Sequence, residues 1–255
     1  MITRFSLKLK CSIFLFLILS TASTVLAQAE ISDPLEDVNR GVFWFNDKLD
    51  VYLLEPVARG YDEYTPQPIQ KGIGNFFLNI KYPRYLVSDI VQGKMTQALE
   101  HTGRFLINTT VGLLGTIDIA KEFGLPHHEE DFGIALAYHG VGPGPYLVLP
   151  LLGPSNVRDG FGRLVDFFLD PFTILGYTDV DQETVNIVSW SARTVEVIDS
   201  RAGLIEAIET GKESSVDFYG FLQSAYYQHR RGVLFDGNPP DEDEIGLERD
   251  DNQEQ

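Results

Sequence analysis

Apolar side chains along this chain recur mostly at helical spacing. Leu35, Val38, Val42, Phe45, Leu49 and Tyr52 keep the three- and four-residue steps of one helix face, and Phe43 and Trp44 widen it. Asp33-Pro34-Leu35-Glu36 supplies that helix with an N-cap, a proline at its first position and a glutamate three residues after the cap. The face is broader than a surface helix needs, so it either tucks into a core or lies at a membrane interface. Helical patterning resumes from Pro68 through Ile69, Ile73, Phe76, Phe77 and Ile80, stops at Tyr82-Pro83, and restarts through Tyr85, Leu86, Ile90 and Val91 to Gly93. A further helix is predicted over residues 94–114, with Arg104 and Asn108 one turn apart on one face. Arg104 either faces a polar cavity or is solvated, and a lone arginine is more often solvated. Ser155 can cap a helix over residues 156–168, with Val157, Phe161, Leu164, Val165 and Phe168 inward and Asp159 paired with Arg163. Two long helices close the pattern, over residues 181–210 and 213–235. Gly211 separates them, and Arg230-Arg231 suit the C-terminus of the second.

Residues 131–159 break this pattern. Between positions 141 and 153 the one hydrogen-bonding side chain is Tyr146, and Pro143, Pro145 and Pro150 block a continuous helix and disfavour a central strand. An apolar irregular or broken hairpin is expected, with residues 146–149 extended. Gly140, Gly142 and Gly144 free the backbone while Pro143, Pro145 and Pro150 restrict it, which suits a hinge beside a stiff flap. Alternating strands bounded by turns do not recur. The expected fold class is therefore all-α, one domain, carrying a Gly/Pro-rich apolar hairpin.

The N-terminus adds an export address. Arg4, Lys8 and Lys10 precede an apolar run over residues 13–19 and then small residues, so residues 1–29 read as a signal peptide cleaved after Ala27 or Ala29. A spanning anchor needs about 20 apolar residues, and no later run reaches 18 without interruption. The only cysteine, Cys11, lies inside that leader, which leaves the exported chain without disulfides, thiolate metal sites or a cysteine nucleophile. The formal charge is −17, and removing Arg4, Lys8 and Lys10 with the leader makes it −20. Residues 237–255 hold eight acids against Arg249 and read as an acidic disordered tail, leaving residues 30–236 as the helical domain. That domain is still strongly acidic, which argues against nucleic acid and against electrostatic docking on anionic lipid.

Catalytic motifs are not supported. The sequence carries no Gly-x-Ser-x-Gly elbow or P-loop, and its Gly-rich pieces do not make a dinucleotide fingerprint. His127-His128-Glu129-Glu130-Asp131 lacks the spacing of a helical zinc site and reads as a hydrated loop; His139 stands without a visible partner. Neither an enzyme, a metal site nor a cofactor is expected.

Ordered motifs do carry a resemblance. They are Asp33-Pro34-Leu35-Glu36 with Asn39-Arg40 and residues 43–46; Asn75-Phe76-Phe77 with Asn79; and residues 104–110 with Gly112, Gly115 and Asp118. Glu130-Asp131-Phe132-Gly133, Gly140-Val141-Gly142, Gly144-Pro145-Tyr146, Leu149-Pro150, Gly153-Pro154-Ser155 and Arg158-Asp159 follow in order. Across residues 33–236 the chain resembles the MlaA/VacJ family, which maintains outer-membrane lipid asymmetry in Gram-negative bacteria. The resemblance implies a helical ring, monotopic in the periplasmic leaflet of the outer membrane, with a polar-lined channel. Through it, mislocalised phospholipids would leave the outer leaflet for a soluble periplasmic carrier, with a trimeric porin as partner. It implies channel or motif roles for Asn39, Arg40, Phe43, Asn46, Arg104, Asn108, Asp131, Phe132, Arg158 and Asp159. The same polar residues equally suit helix caps and buried pairs. Family members are typically lipoproteins, yet no cysteine follows the leader here, so lipidation is not expected. The alternative is a soluble periplasmic binding or scaffold protein that does not translocate lipid.

Overall fold

The computed structural model describes residues 33–240. Helix α1 (Glu36–Leu49), a π-helical turn (Asp50–Leu54) and α2 (Glu55–Tyr64) run end to end as one rod. Its first helical bond runs from the Asn39 N–H to the Leu35 carbonyl at 2.9 Å. Pro34 and Leu35 therefore form a lead-in turn, and the cap position is Leu35 rather than Asp33. Helices α3 (Gln67–Ile80) and α4 (Tyr82–Gln92) part where Tyr82-Pro83 predicts, and Gly93 ends α4 at a left-handed φ of +75°. Then come α5 (Met95–Thr110), the short α6 (Ile119–Glu122) and α7 (Phe132–Tyr138).

Residues 131–159 are more regular than expected. Asp131 caps α7 by accepting the Ile134 N–H at 2.9 Å, and Gly140, at φ +79°, follows its end. Strands β1 (Tyr146–Leu149) and β2 (Gly153–Asn156) then pair antiparallel, Tyr146 opposite Asn156 and Leu149 opposite Gly153. Ser155 is committed to β2, so the cap of α8 (Val157–Leu169) is Asn156, whose Oδ1 accepts the Asp159 N–H at 2.8 Å. After α9 (Pro171–Leu175), the two long helices predicted are three: α10 (Gln182–Ala202), α11 (Ile205–Ser214) and α12 (Phe218–Leu234). Gly211 does not separate them. It lies buried within α11, where a Cβ would come 2.5 Å from Phe221 Cε1, so its small size serves packing against α12. The leader and residues 241–255 of the acidic tail lie outside the described residues.

The helix faces are reversed relative to a water-soluble core. On α1 the buried residue is Asn39, 2% exposed, while Val38 and Trp44 are 64% and 62% exposed. On α8 Asp159, Gly162 and Asp166 are buried, whereas Val157, Phe161, Leu164 and Phe168, expected inside, are exposed. Helix α4 buries Ser88, Asp89 and Gln92 beside Tyr85. Among the described residues, 14 buried side chains are polar or charged against 12 apolar ones, so polar bonding rather than oil-like packing organises the interior. Such an arrangement suits a chain whose outer surface meets something other than water. No helix among the described residues is long and apolar enough to cross a membrane.

Neighbouring elements close a circuit. Helix α2 packs on α10, α10 on α9, α9 on α8, and α8 on β2; β1 returns to α1 at the other end of the rod. Helix α4 touches α5, α7 and α8, and α12 packs on α7 and β2. The α7–α8 contact is close because Gly162 faces Gly133, where a Cβ would stand 2.4 Å from the Gly133 nitrogen. The result is an all-α ring with one small hairpin.

Candidate functional site

The hairpin is held from outside by a pair of asparagines. Asn39 and Asn46 stand two turns apart on α1 and therefore on one face. Asn39 Nδ2 donates to the Tyr146 carbonyl at 3.0 Å and its Oδ1 accepts the Val148 N–H at 2.9 Å. Asn46 repeats the pattern at the tip, donating to the Leu149 carbonyl at 3.0 Å and accepting the Leu151 N–H at 2.9 Å. Two amide side chains thus supply the partners that another strand would give to an open edge. Phe43, between them, lies edge-on to Tyr219 at 5.6 Å and packs on the small cluster of Tyr146, Val148 and Tyr219. Arg40 points elsewhere, to Asp217 at the start of α12 and to Glu36, with its guanidinium 4.3 Å over the Tyr219 ring.

At the other end of the hairpin the Gly/Pro run is anchored by its carbonyls. Pro143 and Pro145 accept the Arg158 and Val157 N–H groups at 3.1 and 3.2 Å, and Arg158 Nη1 donates to the Val141 carbonyl at 3.1 Å. Gly144 has φ +67°, whereas Gly142 lies outside the left-handed region with open space around it. Pro150 and Leu151 form the tip, Leu151 at φ +65°.

Beneath the hairpin lies a buried charge network. Arg230 of α12 donates to Asp131 Oδ1 at 2.9 Å, and its Nε lies 2.9 Å from Asp159 Oδ2, an ionic contact without hydrogen-bond geometry. Arg158 Nε donates to Asp159 Oδ1 at 2.8 Å, and Tyr226 donates to the other oxygen. Burial pushes Asp131 and Asp159 upward, but Arg230 for the first, and Arg158, Arg230 and Tyr226 for the second, hold both below the ordinary carboxylate value. Asp166 is the exception. Burial and the charge of Asp131 push it up to about 6, and its Oδ1 accepts the Phe132 N–H at 3.2 Å.

A separate cluster carries Arg104 and Asn108. Arg104 Nη2 reaches both Asp118 oxygens at 2.9 and 2.8 Å, Nη1 donates to the Leu125 carbonyl at 2.6 Å, and Asn108 Nδ2 donates to Asp118 at 2.9 Å. Arg104 is thus paired rather than solvated, beside a cavity of about 30 Å³. The nearby 127–131 segment is not a simple hydrated loop either. Glu130 is buried, bonded to Ser88 at 3.0 Å and to Lys94 Nζ at 3.0 Å, and Asp131 belongs to the charge network. His139 has a partner, the Val91 carbonyl, 2.8 Å from its Nε2.

A cavity of about 840 Å³ lies between the hairpin tip, α8, α9 and α10. Leu149, Leu152, Leu164, Phe167 and Leu169 give it apolar walls; Lys81, Arg84, Arg163, Arg193, Asp166, Asp170 and Glu196 give it charge. None of the polar residues predicted for a channel is among those lining this cavity: Arg104 and Asn108 line the small cavity beside Asp118, Asn39 and Asn46 hold the hairpin, Arg40 pairs with Asp217, and Asp131, Arg158 and Asp159 form the charge network. Arg84, Arg163 and Asp166 do line the larger cavity, though none of them was a predicted site residue, and neither was Arg230; Arg163, expected to pair with Asp159, instead donates to the Leu152 and Pro154 carbonyls, while Asp159 takes Arg158 and Arg230. Tyr226 and Arg230, four residues apart and both reaching Asp159, were a signal available on the α12 face.

Comparison with known proteins follows from this geometry. The sequence profile of the family described as "MlaA lipoprotein" matches residues 31–232. The Intermembrane phospholipid transport system lipoprotein MlaA of Escherichia coli (strain K12) is 35% identical over 219 residues, covering 83% of this chain and 82% of that protein. A Rickettsia bellii (strain RML369-C) protein described as uncharacterized is 34% identical over 214 residues, 84% of this chain and 81% of its own length. A solved structure described as "Structural basis for maintenance of bacterial outer membrane lipid asymmetry" superposes with a TM-score of 0.66 at 34% identity, covering 80% of this chain and 99% of its own.

Proposed function

Because this chain belongs to the MlaA lipoprotein family, we propose that its role in intermembrane phospholipid transport is to withdraw mislocalised phospholipids from the outer leaflet of the outer membrane. The lipid passes through the ring's cavity to a soluble periplasmic carrier. The observation that carries this reading is the cavity itself, about 840 Å³, with aliphatic and aromatic walls and charged residues in one space. A phospholipid needs both, one part to replace headgroup hydration and one to shelter acyl chains.

The reversed helix faces support a monotopic position. Exposed Val38, Trp44, Tyr52, Phe161 and Trp190 would meet acyl chains or a trimeric porin, while the polar interior stays dry. Attachment is hydrophobic, since the domain's acidity offers nothing to anionic lipid. Cys11 precedes most of the apolar leader run, so we propose that the chain is held without lipidation, and labelled fatty acid is expected not to be incorporated. Transfer moves intact lipid and requires no nucleophile. The hairpin, whose Leu149 and Leu152 enter the cavity wall, would set access to it, with Gly140, Gly142 and Gly144 as its hinge.

Purification in mild detergent with mass spectrometry of bound lipids and proteins tests the reading. Intact phospholipid together with a porin is expected. Cleaved lipid products would point to a hydrolase instead. Release from outer membranes by a high-salt wash would favour a soluble scaffold, since screening frees a peripheral protein but not an embedded one.

A further inference from the structure

The cations of the large cavity are not equivalent. Lys81 is paired with Glu196, and Arg193 with Asp170 at 2.9 Å. Arg84 and Arg163 line the same space, and among the described residues neither has a carboxylate within 4 Å, although, against the effect of burial, Tyr85 and the more distant charges of Asp166 and Asp131 hold the Arg84 guanidinium above its ordinary value. Arg84 Nε is buried with no hydrogen-bond partner, and the guanidinium stacks 5.1 Å over the Tyr85 ring. An acceptor that reached this guanidinium would supply a bond the protein itself does not make. Arg163 donates only to neutral carbonyls, Leu152 at 3.1 Å and Pro154 at 3.0 Å. Those bonds are charge-assisted on the donor side alone, and an anionic oxygen would add ion-pair attraction and bidentate geometry, so it competes with them.

We propose that Arg84 and Arg163 form an anion subsite in this cavity, and that its ligand is the phosphodiester of a glycerophospholipid. The assignment rests on the reading of the cavity as a lipid path. Planar, multiply donating guanidinium groups match a phosphodiester, and the adjoining Leu164, Phe167 and Leu169 offer apolar surface to the glyceride chains. Free phosphate shares the anionic group but makes no use of those walls. Of the three acids on the lining, Glu196 and Asp170 are held by Lys81 and Arg193, and Asp166 bonds the Phe132 N–H, leaving its longer-range attraction to Arg84 as the competition an incoming anion meets. The geometry also ties the site to the hairpin. Leu152 follows the tip, so a headgroup that takes Arg163 releases one of the bonds restraining it.

Full-length protein in mild detergent is titrated with dioleoyl phosphatidylglycerol, with dioleoylglycerol, which has the same chains without phosphate, and with inorganic phosphate. Native mass spectrometry reads occupancy for the lipids and calorimetry for phosphate. Phosphatidylglycerol is expected to bind at least tenfold more tightly than dioleoylglycerol. Arg84→Gln and Arg163→Gln should each lower phosphatidylglycerol affinity about tenfold and leave dioleoylglycerol unchanged. Where a Gln variant does not fold, Arg163→Lys, which keeps charge but loses the fork, should bind phosphatidylglycerol several-fold more weakly than wild type. Unchanged affinity in these variants, or equal binding of the two lipids, overturns the subsite. Phosphate binding as tightly as phosphatidylglycerol overturns the lipid assignment. Wild type that binds neither lipid sinks the lipid path itself, a distinct outcome from failure of the subsite alone.

Discussion

Asn39 and Asn46 make the same two bonds in different surroundings, so comparing their alanine variants measures what a buried amide clasp is worth. Asn39 is 2% exposed and holds the Tyr146 carbonyl and Val148 N–H of a buried strand segment. In Asn39→Ala both backbone groups lose that partner where water does not replace it, at about 1–3 kcal/mol each, hence roughly 2–6 kcal/mol in all. Asn46 is half-buried and its partners lie at the hairpin tip, with Leu151 exposed. Water takes over much of the lost bonding in Asn46→Ala, so the expected loss is about 1–2 kcal/mol. Asn39→Asp keeps the acceptor for Val148 but sets an anionic oxygen against the Tyr146 carbonyl, and should be at least as damaging as alanine at neutral pH. Thermal unfolding followed by circular dichroism in detergent ranks the variants, at roughly 2–4 °C per kcal/mol for a chain of this size. Hydrogen exchange of the Val148 amide reports the local effect, and it should accelerate far more in Asn39→Ala than in Asn46→Ala. Equal destabilisation by the two, or an unaltered Val148 exchange rate, would refute the idea that α1 serves as a surrogate strand.

Three further perturbations probe the interior. Asp166 has its folded pKa raised from 3.8 to about 6, so the folded state binds the extra proton and this contribution to stability falls as pH rises from about 4 through 6. Asp166→Asn should therefore gain on wild type across that window, by as much as about 3 kcal/mol at neutral pH; a constant difference between the two pH–stability curves would show that Asp166 is not perturbed. Arg230→Met leaves the half-buried Asp131 without its ion pair and takes one of two cations from the buried Asp159, and should cost about 3–5 kcal/mol. A fall in chemical-denaturation stability below 1 kcal/mol would remove Arg230 from the centre of the network. Gly142→Val should leave stability unchanged yet alter outer-leaflet phospholipid content, whereas Gly144→Val adds about 1–2 kcal/mol of left-handed strain and meets Val157. Unchanged outer-leaflet lipid in both would reduce the hairpin to a packing element.

The sequence pattern located most helices because their periodicity and stop signals are local. The gap at Lys81 follows from Tyr82-Pro83, and the stop at Gly93 from a glycine free to turn left-handed. The break after Ala202 and the buried Gly211 were illegible, since whether a glycine ends a helix or admits a neighbour's ring depends on Phe221, ten residues on. The second strand was illegible for a related reason: four residues, Gly153 to Asn156, show no alternation, and their partner and the asparagine clasp are remote in sequence. Motif resemblance brought Asn39, Asn46, Asp131 and Asp159 into view without their bonds. Arg84 carried no signal and Arg163 read only as a partner for Asp159, which takes Arg158 and Arg230 instead, because a cation's true partners are visible only once the surroundings are built.

Which face of each helix points inward was the deepest ambiguity, and its cause is physical. Periodicity reports that one face is apolar; it does not report which solvent that face meets. On α8 the stripe of Val157, Phe161, Leu164 and Phe168 would be core in water, yet Asp159, Gly162 and Asp166 take that place. The inversion is affordable only because the buried side is fully engaged: Asp159 with Asn156, Arg158 and Tyr226, Asp166 with the Phe132 amide, and Gly162 against Gly133. Each of those bonds removes an acceptor or donor from competition for the cavity. That leaves Arg84, whose Nε has no acceptor, and Arg163, whose acceptors are neutral carbonyls, as the cavity's cations without an ion-paired carboxylate. Buried polar atoms of Asp89, Gln92, Gln97, Arg201 and Arg230 also lack a partner, so what sets Arg84 and Arg163 apart is that both line the large cavity with no carboxylate in ion-pair contact, and an anion entering that space gains most there.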